Sequence, residues 1–286
     1  MKKIIATIGA VGVISLTAQA QVLLSGFTWD PGTEKSTYVQ NFDSLASTGS
    51  SGSWSDNTTL LGWYASKAYS TATTPQVYGP YAYTSYRVDS GGNNSGNLYS
   101  YGVAGVNPVT DRALGSVASG TVAGSTMATV FGLRIKNDTG STWTGNIGIS
   151  FRGEQWRQGG NTNSQVIDYF SYATSSTAFT APLSANPADS AYTHVSALDF
   201  TSPNPGTTNA AAIDGNASGN YTPISGSISV TLSAGDEIML RWSDINDTGN
   251  DHGGGIDNLS IIVPEPSCLA LAGLGTLTLA LWRRRN

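Results

Sequence analysis

Between residues 76 and 263 the chain is cut into short runs in which apolar residues recur at every second position, and no run there follows a 3.6-residue period. Examples are "QVYGPYAYTSYRV" (76–88), "ATVFGLRIKND" (128–138), "GNIGISFRGEQWR" (145–157), "QVIDYFSYAT" (165–174), "GSISVTLSAGDEIMLRWSD" (226–244) and "GIDNLSIIV" (255–263). Alternation of this kind is what a half-buried antiparallel strand requires, because successive side chains leave a strand on opposite faces. In "SISVTL" it puts Ile228, Val230 and Leu232 on one face, and Ile238, Leu240 and Trp242 share a face after a turn at Gly235 and Asp236, so a hairpin is expected over 226–244. Many short strands joined by polar turns predict an all-β fold, a jelly-roll-like β-sandwich over residues 21–262. The stretches 44–59 and 201–223, rich in Ser, Thr, Asn and Gly, are expected as long surface loops.

The two ends differ in kind from this region. Residues 1–20 carry Lys2 and Lys3, a mostly apolar stretch from Ile4 to Leu16, and Ala18-Gln19-Ala20, the layout of a secretory signal peptide cut after Ala20. At the other end, Cys268 to Trp282 is uncharged, rich in Leu, Ala and Gly, and followed at once by Arg283, Arg284 and Arg285. As a helix those fifteen positions would be about 22 Å long, shorter than the about 30 Å of a bilayer's hydrocarbon core. The prolines at 264 and 266 prevent the helix from starting earlier. A single transmembrane helix with its arginines on the cytoplasmic side is expected, leaving residues 21–262 outside.

Pro264-Glu265-Pro266, the apolar run with Gly273 and Gly275, and the terminal arginines, in that order, resemble the PEP-CTERM sorting signal of Gram-negative bacteria. The resemblance covers residues 263–286. It implies an exosortase-type membrane protease that recognises Pro264, Glu265 and Pro266, anchorage in the inner membrane until the tail is removed, and delivery to the cell surface or extracellular matrix. It supplies an address and no activity.

Within 21–262 there are nine Lys or Arg against eighteen Asp or Glu. So acidic a domain lacks the cationic clusters needed to neutralise phosphates, which excludes nucleic acid as its partner. Its stability cannot come from disulfides, since the one cysteine, Cys268, lies in the tail.

Two constellations could carry chemistry. In "SDINDTGNDHGGGIDN" (243–258), Asp244, Asn246, Asp247, Asp251 and Asp257 offer hard oxygens in a Gly-rich loop, as a structural Ca²⁺ site requires, while the same residues also suit a solvated acidic turn. Gly255 stands where an EF-hand would need its twelfth-position Glu and strands flank the loop, so that motif is disfavoured, and with His252 as the one nearby nitrogen ligand zinc is disfavoured too. The strand "GGGIDNLSIIV" resembles the closing strand of carbohydrate-binding, lectin-like jelly rolls, with Asp257 at the loop edge. In "FRGEQWRQGGN" (151–161), Ile147, Ile149 and Phe151 take one face and Arg152, Glu154 and Trp156 the other, unless Gly153 marks a bulge. Trp156 is then a candidate sugar-stacking platform with Glu154 and Arg157 at its rim, or else a packed Trp closed in by an Arg–Glu pair. "GEQWR" is also similar to segments of other exported PEP-CTERM proteins. Tyr78, Tyr81, Tyr83, Tyr86, Tyr99 and Tyr101 offer a third aromatic set, suited to packing or to polysaccharide.

No G-x-S-x-G turn, phosphate loop or dinucleotide fingerprint is present. The reading is a non-catalytic surface or matrix protein that binds extracellular polysaccharide. The alternative is a secreted polysaccharide-active hydrolase, which would need paired carboxylates such as Glu154 with Asp168 or Asp244.

Overall fold

The computed structural model describes residues 21–71, 74–103, 110–118, 121–122, 125–160, 162–179, 191–247 and 249–264. The expected signal peptide, the apolar tail helix, Glu265, Pro266 and the three arginines lie outside them. Among the described residues there is no α-helix, and the strands form two sheets, of nine and ten strands. The architecture is carried by β1 (Lys35–Gln40), β2 (Trp63–Thr71), β3 (Thr74–Ala82), β4 (Ser85–Asp89), β5 (Asn97–Tyr101), β6 (Ala113–Val117), β7 (Ser125–Lys136), β8 (Trp143–Gly159), β9 (Val166–Ser175), β10 (Tyr221–Leu232), β11 (Glu237–Asp244) and β12 (Gly253–Pro264).

One sheet runs β9–β11–β7–β2–β3 and the other β10–β8–β12–β6–β5–β4, with β1 continuing the edge of β12 beyond β6. Pairing is antiparallel except for β4 with β5 and for the two-residue strand Val22–Leu23 with β7. The chain from β4 to the parallel β5 is only residues 90–96, so it must double straight back over the outer face of its sheet. That return builds one wall of the cleft described below.

Alternation produces the core it predicts. Ile147, Ile149 and Phe151 of β8, Ile228, Val230 and Leu232 of β10, and Ile238, Leu240 and Trp242 of β11 are all buried between the sheets. The indole of Trp242 is the hub: it stacks on Trp63 (centroids 5.8 Å apart, 22°) and meets Phe151 (5.8 Å, 87°) and Phe170 (5.2 Å, 70°) edge-on. Removing such a side chain costs about 3–5 kcal/mol.

The hairpin expected over 226–244 is a different object. β10 pairs with β8 in one sheet, whereas β11 pairs with β7 and β9 in the other, so the turn at Gly235 carries the chain across the sandwich. Both strands turn alternate apolar residues towards one core, and a periodicity of two does not distinguish pairing within a sheet from facing across it. The expected loops also carry more structure than their composition suggests. Segment 44–59 contains the strand Ser51–Ser53 and buries Leu45 and Trp54, and segment 201–223 contains the strand Ala210–Ala212, paired with the end of β8.

Candidate functional site

β8 has one more residue than its partner between Gln155 and Arg157, which face Gly254 and Gly253 of β12. A bulge of this kind breaks alternation, so Arg157 does not follow Gln155 inward. Its Nη1 instead donates to the carbonyls of Gly91 and Gly92, both at 3.1 Å, and pins the 90–96 return against the sheet. The register shifts flank Gly153 and do not fall on it. Gly153 serves packing, because a Cβ there would sit 2.3 Å from the Phe200 ring.

Trp156 lies on the outer face as expected, but it is fully buried. Tyr101 stacks on it at 6.0 Å and Tyr99 on Tyr101 at 4.9 Å, each pair within 3° of parallel. Gly215 also closes on the ring, since a Cβ there would lie 2.4 Å from Cε2. With both sides of the indole covered, Trp156 offers no stacking face to a sugar. Tyr83 and Tyr86 are buried too, while the side chains of Tyr78 and Tyr81 lie outside the described residues.

Glu154 and Asp257 sit together on this covered face, each 1% exposed. Glu154 accepts from Trp156 Nε1 (3.0 Å) and pairs with Arg152 Nε (2.8 Å), without hydrogen-bond alignment in the ion pair. Burial pushes its carboxyl up to about 7, against the opposing pull of Arg152. Burial, and then the charge of Glu154, pushes Asp257 up to about 8; its Oδ1 has no hydrogen-bond partner. Neither is open to solvent.

The acidic loop is divided as well. Asp244 ends β11 beneath the loop, fully buried, with Ser116 Oγ donating to it at 2.6 Å. Burial raises its carboxyl well above the usual range, and so does neighbouring Asp168, whose two oxygens have no partner. Asp251 accepts from the Asp247 N–H (2.8 Å) and burial raises it to about 7. His252 Nδ1 accepts from the Gly159 N–H (3.0 Å) and Nε2 lies 3.1 Å from the Asn163 carbonyl. That fixes a neutral tautomer with both nitrogens used, which removes it as a metal ligand. Asp257 is therefore away from the loop, and among the described residues no three His, Cys, Asp or Glu side chains converge on a metal-sized point.

Arg157, Asn246 and Asp251 do come together. They line a polar cleft of about 350 Å³ with Asn94, Asn250 and Gly159, at the end of the sandwich where β8 finishes and β12 begins. Among the described residues the carboxamides of Asn94, Asn246 and Asn250 make no hydrogen bond, and Arg157 Nε has no partner. Free amides around a cation and a carboxylate can donate to and accept from several hydroxyls at once. Sequence reasoning missed Asn94; the signal for it was "SGGNNSGN" (90–97), as rich in Gly and Asn as the acidic loop it faces.

Residues 263–285 match the PEP-CTERM protein-sorting motif, so the chain carries the signal of an exported protein handled by an exosortase-type enzyme. No curated protein matches the sequence. Among solved structures, the K3 cleaved adhesin domain of Lys-gingipain from Porphyromonas gingivalis w83 is similar over 56% of this chain and 78% of its own, at 14% identity and a TM-score of 0.30. The isomalto-dextranase of Arthrobacter globiformis T6, complexed with panose, is similar over 80% of this chain and 35% of its own, at 10% identity and a TM-score of 0.28. Neither superposition is close enough to bear on fold or ligand.

Proposed function

We propose that this is a non-catalytic protein of the cell surface or extracellular matrix that binds extracellular polysaccharide in the cleft between residues 90–96 and 245–252. Its tail holds it in the inner membrane until the exosortase-type enzyme removes it. The observation that carries the binding reading is the set of three carboxamides, Asn94, Asn246 and Asn250, with unused hydrogen-bonding capacity around one polar cleft. A saccharide presents hydroxyls that are both donor and acceptor, and amides match them without charge.

Binding is favoured over hydrolysis by where the carboxylates sit. A glycosidase needs two of them flanking the scissile bond. Glu154, Asp168, Asp244 and Asp257 are all buried, and Asp251 is the one carboxylate among the described lining residues of the cleft. A glycan array probed with the processed protein, run beside a reducing-end assay on the bound polysaccharides, separates the two. Retention without release of reducing ends is expected; turnover of a bound polysaccharide would establish the hydrolase instead.

A further inference from the structure

The sandwich has two unlike ends. The cleft marks one. At the other, β12 runs to Pro264 with its strand pairing intact: Pro264 faces Lys35, and its carbonyl accepts from Trp143 Nε1 at 3.2 Å. The sorting motif thus begins inside the last strand, with no linker. The exposed large apolar side chains of the described residues are Leu23 (38%), Trp29 (44%), Val39 (70%) and Leu61 (55%). Trp29 lies across Ser36 from Val263, two strands from the exit, and Val39 lies opposite Ser260. Leu23 pairs with Lys136, the last residue of β7, and Leu61 precedes Gly62, which packs on Val22 and the Arg134 carbonyl at the same end. Leu23, Trp29 and Leu61 therefore belong to the end where the tail leaves, Val39 sits four residue steps further along β1, and none of the four lines the cleft.

We propose that, while the tail is in place, this end rests on the lipid surface, with Leu23, Trp29 and Leu61 in the headgroup layer and the cleft held away from it. The inference rests on the reading of the tail as a membrane anchor. From Pro264 to Cys268, where the apolar run starts, the chain can reach at most about 14 Å. The headgroup layer on each side of the hydrocarbon is itself about 5–8 Å thick. The apolar run is short by about 8 Å for a typical bilayer, which draws its flanks further in. Tryptophan with an apolar body and a polar N–H suits that depth. Attraction to anionic lipid is not the cause, because Asp30, Glu34, Asp138 and Asp236 outnumber Lys35 and Lys136 at this end. Eleven residue steps along β12 place the cleft roughly 35 Å further out.

The test uses residues 21–286, the chain after signal-peptide removal, with Cys268→Ser, reconstituted in phosphatidylcholine vesicles and labelled with an environment-sensitive fluorophore at Leu61→Cys, at Trp29→Cys or, as the distal control, at Asn94→Cys. All three positions are exposed, so the fold should tolerate the label. Flotation reports on the anchor. Nitroxide carried on the lipid headgroup reports on docking: labels at 61 and 29 should lose most of their emission and shift to the blue, and the label at 94 should do neither. Protein that floats while all three labels stay equally bright overturns the docking; protein that does not float overturns the anchor reading, and the docking with it.

Discussion

Asp257→Asn should stabilise the folded protein at pH 9 and leave it nearly unchanged at pH 5. Burial holds Asp257 at about 8 and Glu154 at about 7; in the unfolded chain they fall near about 3.9 and about 4.3. A carboxyl whose pKa is higher folded than unfolded binds more protons in the folded state. Its contribution is complete below about pH 4 and is lost as pH rises through about 7 to 8. For Asp257 the difference is about four units, a ceiling of about 6 kcal/mol at about 1.4 kcal/mol per unit. Relaxation around the ionised pair and the nearby Arg152 guanidinium bring the expected loss to about 2–3 kcal/mol, or roughly 4–12 °C in melting temperature for a domain of this size. Calorimetry at pH 5, 7 and 9 reads it directly. The parent should melt progressively lower as pH rises, Asp257→Asn should recover the roughly 4–12 °C that Asp257 contributes at pH 9 while the shares of Glu154, Asp168, Asp244 and Asp251 remain, and Glu34→Gln, which removes the same charge from an exposed turn, should recover little. A parent whose melting temperature is flat or rising from pH 5 to 8, or an Asn variant that tracks it throughout, refutes the reasoning.

Gly215→Ala should destabilise by about 1–3 kcal/mol, because the new methyl meets a Trp156 ring already locked on Tyr101; thermal melts check it, and an unchanged midpoint would show that the 209–220 segment shifts freely. A calcium ion taken up at the cleft end would be held by Asn246, Asp247 and Asp251 and not by Asp257, so any Ca²⁺-dependent rise in melting temperature should survive Asp257→Asn and vanish in Asp251→Asn. Coincident curves with Ca²⁺ and with chelator would instead leave the loop as a solvated turn. Replacing Pro264, Glu265 and Pro266 by alanine should leave the tail uncut in a host that has the sorting enzyme, which the mass of the exported product reports; normal trimming of that variant contradicts the assignment.

The faces of the strands were legible because burial imposes a period of two: Ile147, Ile149 and Phe151, and separately Ile228, Val230 and Leu232, lie where alternation puts them. Which strands pair was not, since β10 and β11 show the same pattern whether they share a sheet or face across the core. The site was half legible. Composition located the acidic loop, and β8 supplied Arg157, but only the bulge after Gln155 brings Arg157 to the 90–96 return, and a bulge leaves no mark on an alternating run. Alternation places Trp156 on the outer face, yet its burial depends on Gly215 and Tyr101, far away in the chain. Proximity in sequence groups Asp257 with Asp247 and Asp251; six residues of strand and loop carry it to Glu154 instead.

The central claim is that the cleft is the binding end of the molecule. Asn94, Asn246 and Asn250 lie on its rim and their side chains make no described hydrogen bond, so replacing all three by alanine should leave the melting temperature within about 1 °C of the parent's. Three hydrogen bonds at about 0.5–1.5 kcal/mol each correspond to at least a tenfold loss of affinity. Titration calorimetry of the polysaccharide retained on the array, against parent and triple variant, should show that loss at unchanged stability. Equal affinity in a variant that melts with the parent would place the binding surface elsewhere.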